Sequence, residues 1–237
     1  MINYKVFIFT YNFPHLKTIK ICQELILKNI KIEYIIAAPF KKLPQYSDWS
    51  PFKKKKYNII SISEFAKSNN IPYLICDHNN SNKISKLIKK NESNIGIIGG
   101  ARILNIEIIK LFRYGIINYH PGKIPETSGL DSFYWMLEKN VSPSVTAHFI
   151  NYKVDEGEEI LNLEVLIEKD DTLDNIYEKV NNVQFKTHSI ICDYLKDGKL
   201  FVKKKLIRPN KNLPMNNLQR KQAINKFQKW KNIFSIN

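Results

Sequence analysis

The chain has 237 residues, 37 Lys and Arg against 22 Asp and Glu for a formal net charge of +15, and 43% hydrophobic residues. That length holds one good-sized core plus an appendage, and no apolar run approaches the roughly 20 residues that span a bilayer, so a membrane protein is excluded from the expectations. The positive balance suits an anionic partner such as nucleic acid, a phosphorylated metabolite or a polycarboxylate, although Lys, Asn and Ile are abundant throughout and much of the charge reads as compositional drift.

Met1 to Lys5 run straight into a strand pattern, Tyr4 to Thr10, without the succession of a signal peptide, so a cytoplasmic location is expected. Pro14 opens a helical pattern through Leu16, Ile19, Ile21, Leu25 and Leu27, and Ile32 to Ala38 is a second strand. The Lys53 to Lys56 block reads as a solvated loop. Ser61 and Glu64 have capping-box spacing for a short helix, and Pro72 to Cys76 is a third strand. Then come a helix over Ser81 to Lys90, a short buried strand from Ile95 to Ile98 ending in Gly99-Gly100, a helix from Ile106 to Phe112, and a strand from Ile116 to Tyr119. Strands alternating with helices imply right-handed crossovers and a mostly parallel sheet covered on both faces.

Past Gly129 the pattern changes: a helix from Asp131 to Glu138, then strands Ser144 to Asn151 and Ile160 to Ile167 as an antiparallel pair at the far side of the sheet. Asp171-Thr172 caps a long helix to Lys196, Leu200 to Ile207 is a further strand, and a last helix carries Leu218, Phe227, Trp230 and Phe234. This divides the chain into a catalytic domain over 1–196 and a strand and helix extension over 197–237. The last helix is read as packing on its own domain ahead of a homodimer contact. Cys22, Cys76 and Cys192 read as buried hydrophobes, and the five His residues lack metal-ligand spacing, so no metal is expected.

In open α/β sheets the ligand sits beyond the carboxyl ends of the strands. Asn118 and His120 alternate with Tyr119 on a strand's last residues, so both point to one side, and Pro121-Gly122 then turn the chain away. The residues alone leave two readings open, a hydrogen bond that stabilises a turn and a catalytic pair.

The strand-end Asn118-Tyr119-His120-Pro121, the loop with Pro125 and Gly129, and Val154-Asp155-Glu156-Gly157 after the strand Val145 to Phe149 resemble the N-x-H, H-P-x-x-x-P-x-x-x-G and V-D-x-G motifs of the folate-dependent formyltransferases, and most closely those acting on nucleotide sugars. The resemblance implies an α/β, Rossmann-like formyltransferase fold with a mostly parallel twisted sheet and a small C-terminal extension. It also implies transfer of a formyl group from 10-formyltetrahydrofolate, as co-substrate and without a metal, to an amine. Asn118 would donate to the oxyanion, His120 would stabilise the same charge or accept the proton, and Asp155 would orient the imidazole and help shuttle the proton. By the same resemblance Arg102, Ile103 and Leu104, with Val154 and Gly157, would contact the folate. His148, on the strand leading to Asp155, is read as structural. Many relatives carry a basic residue before the loop glycine, where this chain has Ser128; Lys123 is the substitute considered.

For the acceptor, Phe133-Tyr134-Trp135 resemble the aromatic stretch of the sugar enzymes, so Lys123, Tyr134 and Trp135 are the expected substrate contacts, with at least one of the three aromatics in the core. Transfer-RNA enzymes of this family carry an additional C-terminal barrel, which argues against a nucleic-acid acceptor. The expected acceptor is a nucleotide-linked amino sugar, best a dTDP-4-amino-4,6-dideoxyhexose destined for surface polysaccharide such as O-antigen. The alternatives are phosphoribosylglycinamide formyl transfer and a non-catalytic basic module that binds nucleic acid.

Overall fold

In β1 (Lys5–Tyr11) the interior residues are all buried, because the strand is covered on both faces: Val6 and Ile8 face one core cluster, Phe7 and Phe9 the other. The computed structural model of the protein describes residues 3–40, 50–52, 59–88, 94–153, 155–199, 202, 204–207 and 212–236. The Lys53 to Lys56 block and Val154 lie outside the described residues.

β1 is followed by α1 (Leu16–Leu27), β2 (Ile32–Ala38), α2 (Ile62–Ser68), β3 (Tyr73–Ile75), α3 (Ser81–Ile88), β4 (Asn94–Ile98), α4 (Ile106–Ile109) and β5 (Ile116–His120). These strands pair in parallel in the order β3-β2-β1-β4-β5. Then come α5 (Ser132–Glu138), β6 (Ser144–Ile150), β7 (Gly157–Glu164), β8 (Ile167–Glu168), α6 (Leu173–Lys196) and β9 (Lys204–Leu206). β6, β7 and β9 extend the sheet antiparallel beyond β5 to eight strands. The expected α/β class and the far-side antiparallel pair are both present. No helix among the described residues is long and apolar enough to cross a membrane.

One face of the sheet is covered by α1, α2 and α6, whose Ile21, Cys22, Phe65, Ile191 and Leu195 pack on Val6, Ile8 and Ile35. The other is covered by α3 and α4 through Ile84, Ile88 and Ile108. Each such side chain is worth about 1.5–3 kcal/mol of burial. The capping box at α2 is formed in full, Ser61 and Glu64 each satisfying the other's backbone N–H. α4 is shorter than expected because Leu111 and Phe112 turn their N–H groups to the carbonyls three residues back, which tightens and ends the helix.

The expected last helix is two, α7 (Asn217–Asn225) and α8 (Phe227–Phe234), joined at Lys226, and it runs into β10 (Ser235–Ile236) beside β8. The break lets α8 bury Trp230 completely against α5 and α6 residues, with its indole N–H donating to Val141 O at 2.8 Å. The described residues of 197–237 are joined to the rest at several places, among them β9 in the main sheet, β10 beside β8, and Trp230 in a core shared with Phe133, Leu137 and Ile176.

Beneath β5, Tyr119 points away from Asn118 and His120 into the α1–α6 layer. Its hydroxyl donates to His188 Nδ1 at 2.7 Å, and His188 Nε2–H donates to Ile21 O at 3.1 Å. Burial lowers His188 to about 4 and keeps the ring neutral. Between its ordinary 6.5 and about 4 the unfolded chain binds a proton that the folded one refuses, so stability falls as pH falls through that window. Thermal midpoints measured from pH 7 to pH 4 are expected to drop, and to drop less steeply in His188→Gln; an unchanged slope in that variant contradicts the assignment.

Candidate active site

β5 is the last parallel strand and β6 the first antiparallel one, so the chain reverses direction where the cavity opens. In their register Asn118 stands opposite His148, and His120 opposite Thr146. Directly opposed residues share a face of the sheet. Asn118 Nδ2 therefore donates to His148 Nε2 at 3.3 Å, and Thr146 Oγ1 donates to Gly122 O at 2.7 Å, fixing the turn after β5.

The hydrogen bonds select a single tautomer of His148: Nδ1–H donates to Glu156 O at 3.2 Å, so Nε2 is the acceptor that faces Asn118. The ring is fully buried, and burial lowers it to about 4, more than the nearby Asp155 raises it. A neutral His148 thereby orients the Asn118 amide and leaves its second N–H without an acceptor among the described residues.

Asp155 sits in the connection from β6 to β7 in a left-handed conformation, φ 52°. Its Oδ2 accepts the Gly129 N–H at 2.5 Å and lies 3.5 Å from His120 Nδ1, while Oδ1 is 4.0 Å from His148 Nε2. His120 Nε2–H donates to Thr127 O at 2.9 Å. His120 and Asp155 are 4% and 9% exposed, so both interact in a largely water-excluded setting. Both ring nitrogens of His120 face oxygen acceptors, Thr127 O and Asp155 Oδ2, which fix the orientation of the ring. Among the described residues no hydrogen-bond donor pairs with Asp155 Oδ1.

These side chains border a cavity of about 440 Å³ beyond the strand ends, which Arg102, Ile103 and Leu104 also line. Ile103 is 69% exposed and Leu104 is buried, an apolar edge suited to a flat ring. Arg102 is held by Asp77 Oδ2 at 2.6 Å and Pro39 O at 2.7 Å, so it forms wall rather than a free cation. Tyr11 at the end of β1 and Lys17 in α1 also line the cavity. The start of α1 and His15 before it approach Gly99 and Gly100 so closely that a Cβ on Gly99 would stand 2.6 Å from Thr18 Oγ1 and one on Gly100 2.8 Å from His15 Cε1.

The structure does not bring four of the expected contacts to this cavity. Gly157 is paired in β7; with φ 119°, and Phe149 O pressed against any Cβ, it is glycine for the sheet's sake. Lys123 takes part through its carbonyl, which accepts Thr127 N–H and Oγ1 within the loop. Tyr134 is buried beneath the Arg220 guanidinium at 5.1 Å and lines a second cavity of about 260 Å³ with Phe52, Tyr177 and Asn181. Trp135 donates its indole N–H to Leu213 O.

Lys17 lies in the first turn of α1, and its place in the cavity wall is one that the apolar spacing of the helix does not signal. Burial lowers its ammonium to about 8, and no described residue pairs with it. No group of three or more His, Cys, Asp or Glu among the described residues could hold a metal ion.

A family model described as formyl transferase matches residues 43–192. Methionyl-tRNA formyltransferase of Clostridioides difficile (strain 630) is 25% identical over 178 residues, 74% of this chain and 55% of that protein. The chain spans about half the length of the curated relatives it matches. Glycinamide ribonucleotide transformylase 1 from Symbiobacterium toebii shares the fold with a TM-score of 0.62 at 17% identity, over 87% of this chain and 94% of that one. A sugar N-formyltransferase from Shewanella sp FDAARGOS_354 does so with the same TM-score and identity, over 94% of this chain and 87% of that one. With the matched segment covering more than half of the sequence and carrying the strand-end Asn118 and His120, the chain belongs to the formyl transferase family.

Proposed function

We propose that this chain is an N-formyltransferase that moves a formyl group from 10-formyltetrahydrofolate to the amine of a nucleotide-linked amino sugar. A dTDP-4-amino-4,6-dideoxyhexose is the specific acceptor and surface polysaccharide synthesis its setting. The observation that carries the reading is one crevice in which Asn118, His120 and Asp155 meet the apolar edge at Ile103 and Leu104 and the ammonium of Lys17. The donor supplies a formyl carbon attached to a nitrogen that can leave.

The chain's own part is electrostatic and positional. As the acceptor nitrogen bonds to the formyl carbon, negative charge grows on the formyl oxygen, and the free Asn118 N–H and the His120 ring stabilise it without reorganising. The bond from carbon to the folate nitrogen then breaks. The proton lost by the acceptor amine passes by way of Asp155 Oδ1 to the departing nitrogen, so charge and protons balance. Lys17 complements the acceptor's diphosphate. Glycinamide ribonucleotide is the second reading, because a single phosphate would also suit Lys17.

The acceptor is tested by offering formyl donor with a panel of amino-sugar nucleotides, glycinamide ribonucleotide and methionyl-tRNA, and reading a mass gain of one formyl group. Transfer to an amino-sugar nucleotide is expected; transfer to either of the others alone removes the sugar assignment and leaves the chemistry standing.

Asn118→Ala, His120→Ala and Asp155→Asn should each lower kcat by about a hundredfold or more with little change in KM, since they act on charge that develops in the transition state. Near-parent turnover in a folded His120→Ala protein would contradict the mechanism. For Lys17, charge is present at pH 7 and lost as pH rises through about 8. Acceptor KM should therefore climb between pH 7 and pH 9, and Lys17→Met should raise KM at pH 7 and flatten that climb. A pH-independent KM in the parent would dissociate Lys17 from the acceptor.

A further inference from the structure

The loop from Gly122 to Asp131 offers two backbone groups to the site: Thr127 O, which receives the His120 N–H, and Gly129 N–H, which donates to Asp155. Its carbonyls on the opposite side are received by a side chain from far along the sequence. Asn212, 6% exposed, donates Nδ2–H to Ser128 O at 2.8 Å and to Glu126 O at 3.0 Å. Its Oδ1 accepts from Lys139 Nζ at 2.5 Å, and the same ammonium reaches Glu126 O at 3.0 Å. Further along, Asp131 accepts the Met215 N–H and a guanidinium hydrogen of Arg220, both at 2.8 Å.

Ser128 C=O and Gly129 N–H are the two ends of one planar peptide unit. That unit is held at its carbonyl by Asn212 and at its N–H by Asp155, so it cannot rotate without losing both bonds. Read as a chain, the donors run one way: from the Lys139 ammonium to the Asn212 amide, through the peptide, to the Asp155 carboxylate. Hydrogen bonds in such a series polarise one another, and each acceptor becomes a better donor at its far end.

We propose that Asn212 is a positioning residue for the transfer reaction, the middle member of a polarised relay from Lys139 to Asp155 that holds the Gly129 N–H on the carboxylate and Thr127 O on His120. The C-terminal segment is thereby part of the machinery although it borders no reacting atom. The proposal rests on the reading of Asp155 and His120 as catalytic, and an amide signal tests it without any acceptor.

The test compares parent, Asn212→Asp, Asn212→Ala and Lys139→Met, with Trp230→Phe as a control that loosens the same segment elsewhere. Asn212→Asp keeps the shape and the Lys139 contact but has no N–H to donate. Turnover and the Gly129 amide proton shift are read together. Asn212→Asp and Asn212→Ala should lower kcat tenfold or more with both KM values within about twofold, and Lys139→Met should lower it severalfold. In all three the Gly129 amide proton should move upfield, while Trp230→Phe should lose thermal stability and keep its kcat. If the Asn212 variants do not fold, Lys139→Met carries the test alone. Parental kcat with Asn212→Asp, an unmoved Gly129 amide, or an equal fall in kcat with Trp230→Phe overturns the proposal. A parent that transfers no formyl group sinks the functional reading instead, and the amide shift still decides the relay.

Discussion

Antiparallel pairing of β5 with β6 is the constraint on which the site depends. Four parallel neighbours bury β5 within the sheet on one side, and the reversal at β6 lets the next hairpin double back over its end. The pairing puts His148 opposite Asn118, and the connection out of β6 delivers Asp155 to His120. Side chains alternate along a strand, so a slip of one residue would turn Tyr119 to the cavity and send Asn118 and His120 into the α1–α6 layer. The hydrogen bond of Tyr119 with His188 in that layer resists such a slip.

Burial at this point serves the chemistry and costs stability. His148 and His188 are both lowered to about 4 by burial, and each stays neutral with its two ring nitrogens hydrogen-bonded, one as donor and one as acceptor. A neutral His148 keeps Nε2 as the acceptor that orients the Asn118 amide. The cavity's cation without a described partner is Lys17, whereas Arg102 is committed to Asp77 and Pro39 O. Asp155 tolerates low exposure because a backbone N–H and a histidine share its oxygen Oδ2.

Local signals in the sequence were legible where the physics is local. The capping box at Ser61 and Glu64, the bounds of β2, the cap at Thr172 and the common side of Asn118 and His120 follow from spacing and side-chain parity. What depends on non-local register was not legible. Spacing in one strand cannot say which residue of the next lies across from Asn118, so His148 read as structural although its ring orients the amide. Gly157 looked like a ligand contact because the motif contains it, yet close approach of Phe149 O explains the glycine. Tyr134 and Trp135 were drawn toward the substrate by their position after the loop; α5 instead turns Phe133 and Tyr134 into a core that the C-terminal helices complete. The placement of Asn212 could not be read at all, since its partners Lys139, Ser128 and Glu126 lie far earlier in the sequence.

The most direct test of the central claim, that formyl transfer occurs at the strand-end crevice, is a crystal structure of the protein with folinic acid, a stable reduced folate that carries a formyl group. The account predicts the ring system against Ile103 and Leu104 and the formyl oxygen within about 3 Å of Asn118 Nδ2. A folate bound instead in the second cavity beside Tyr134 and Tyr177, with Asn118 and His120 untouched, would contradict it.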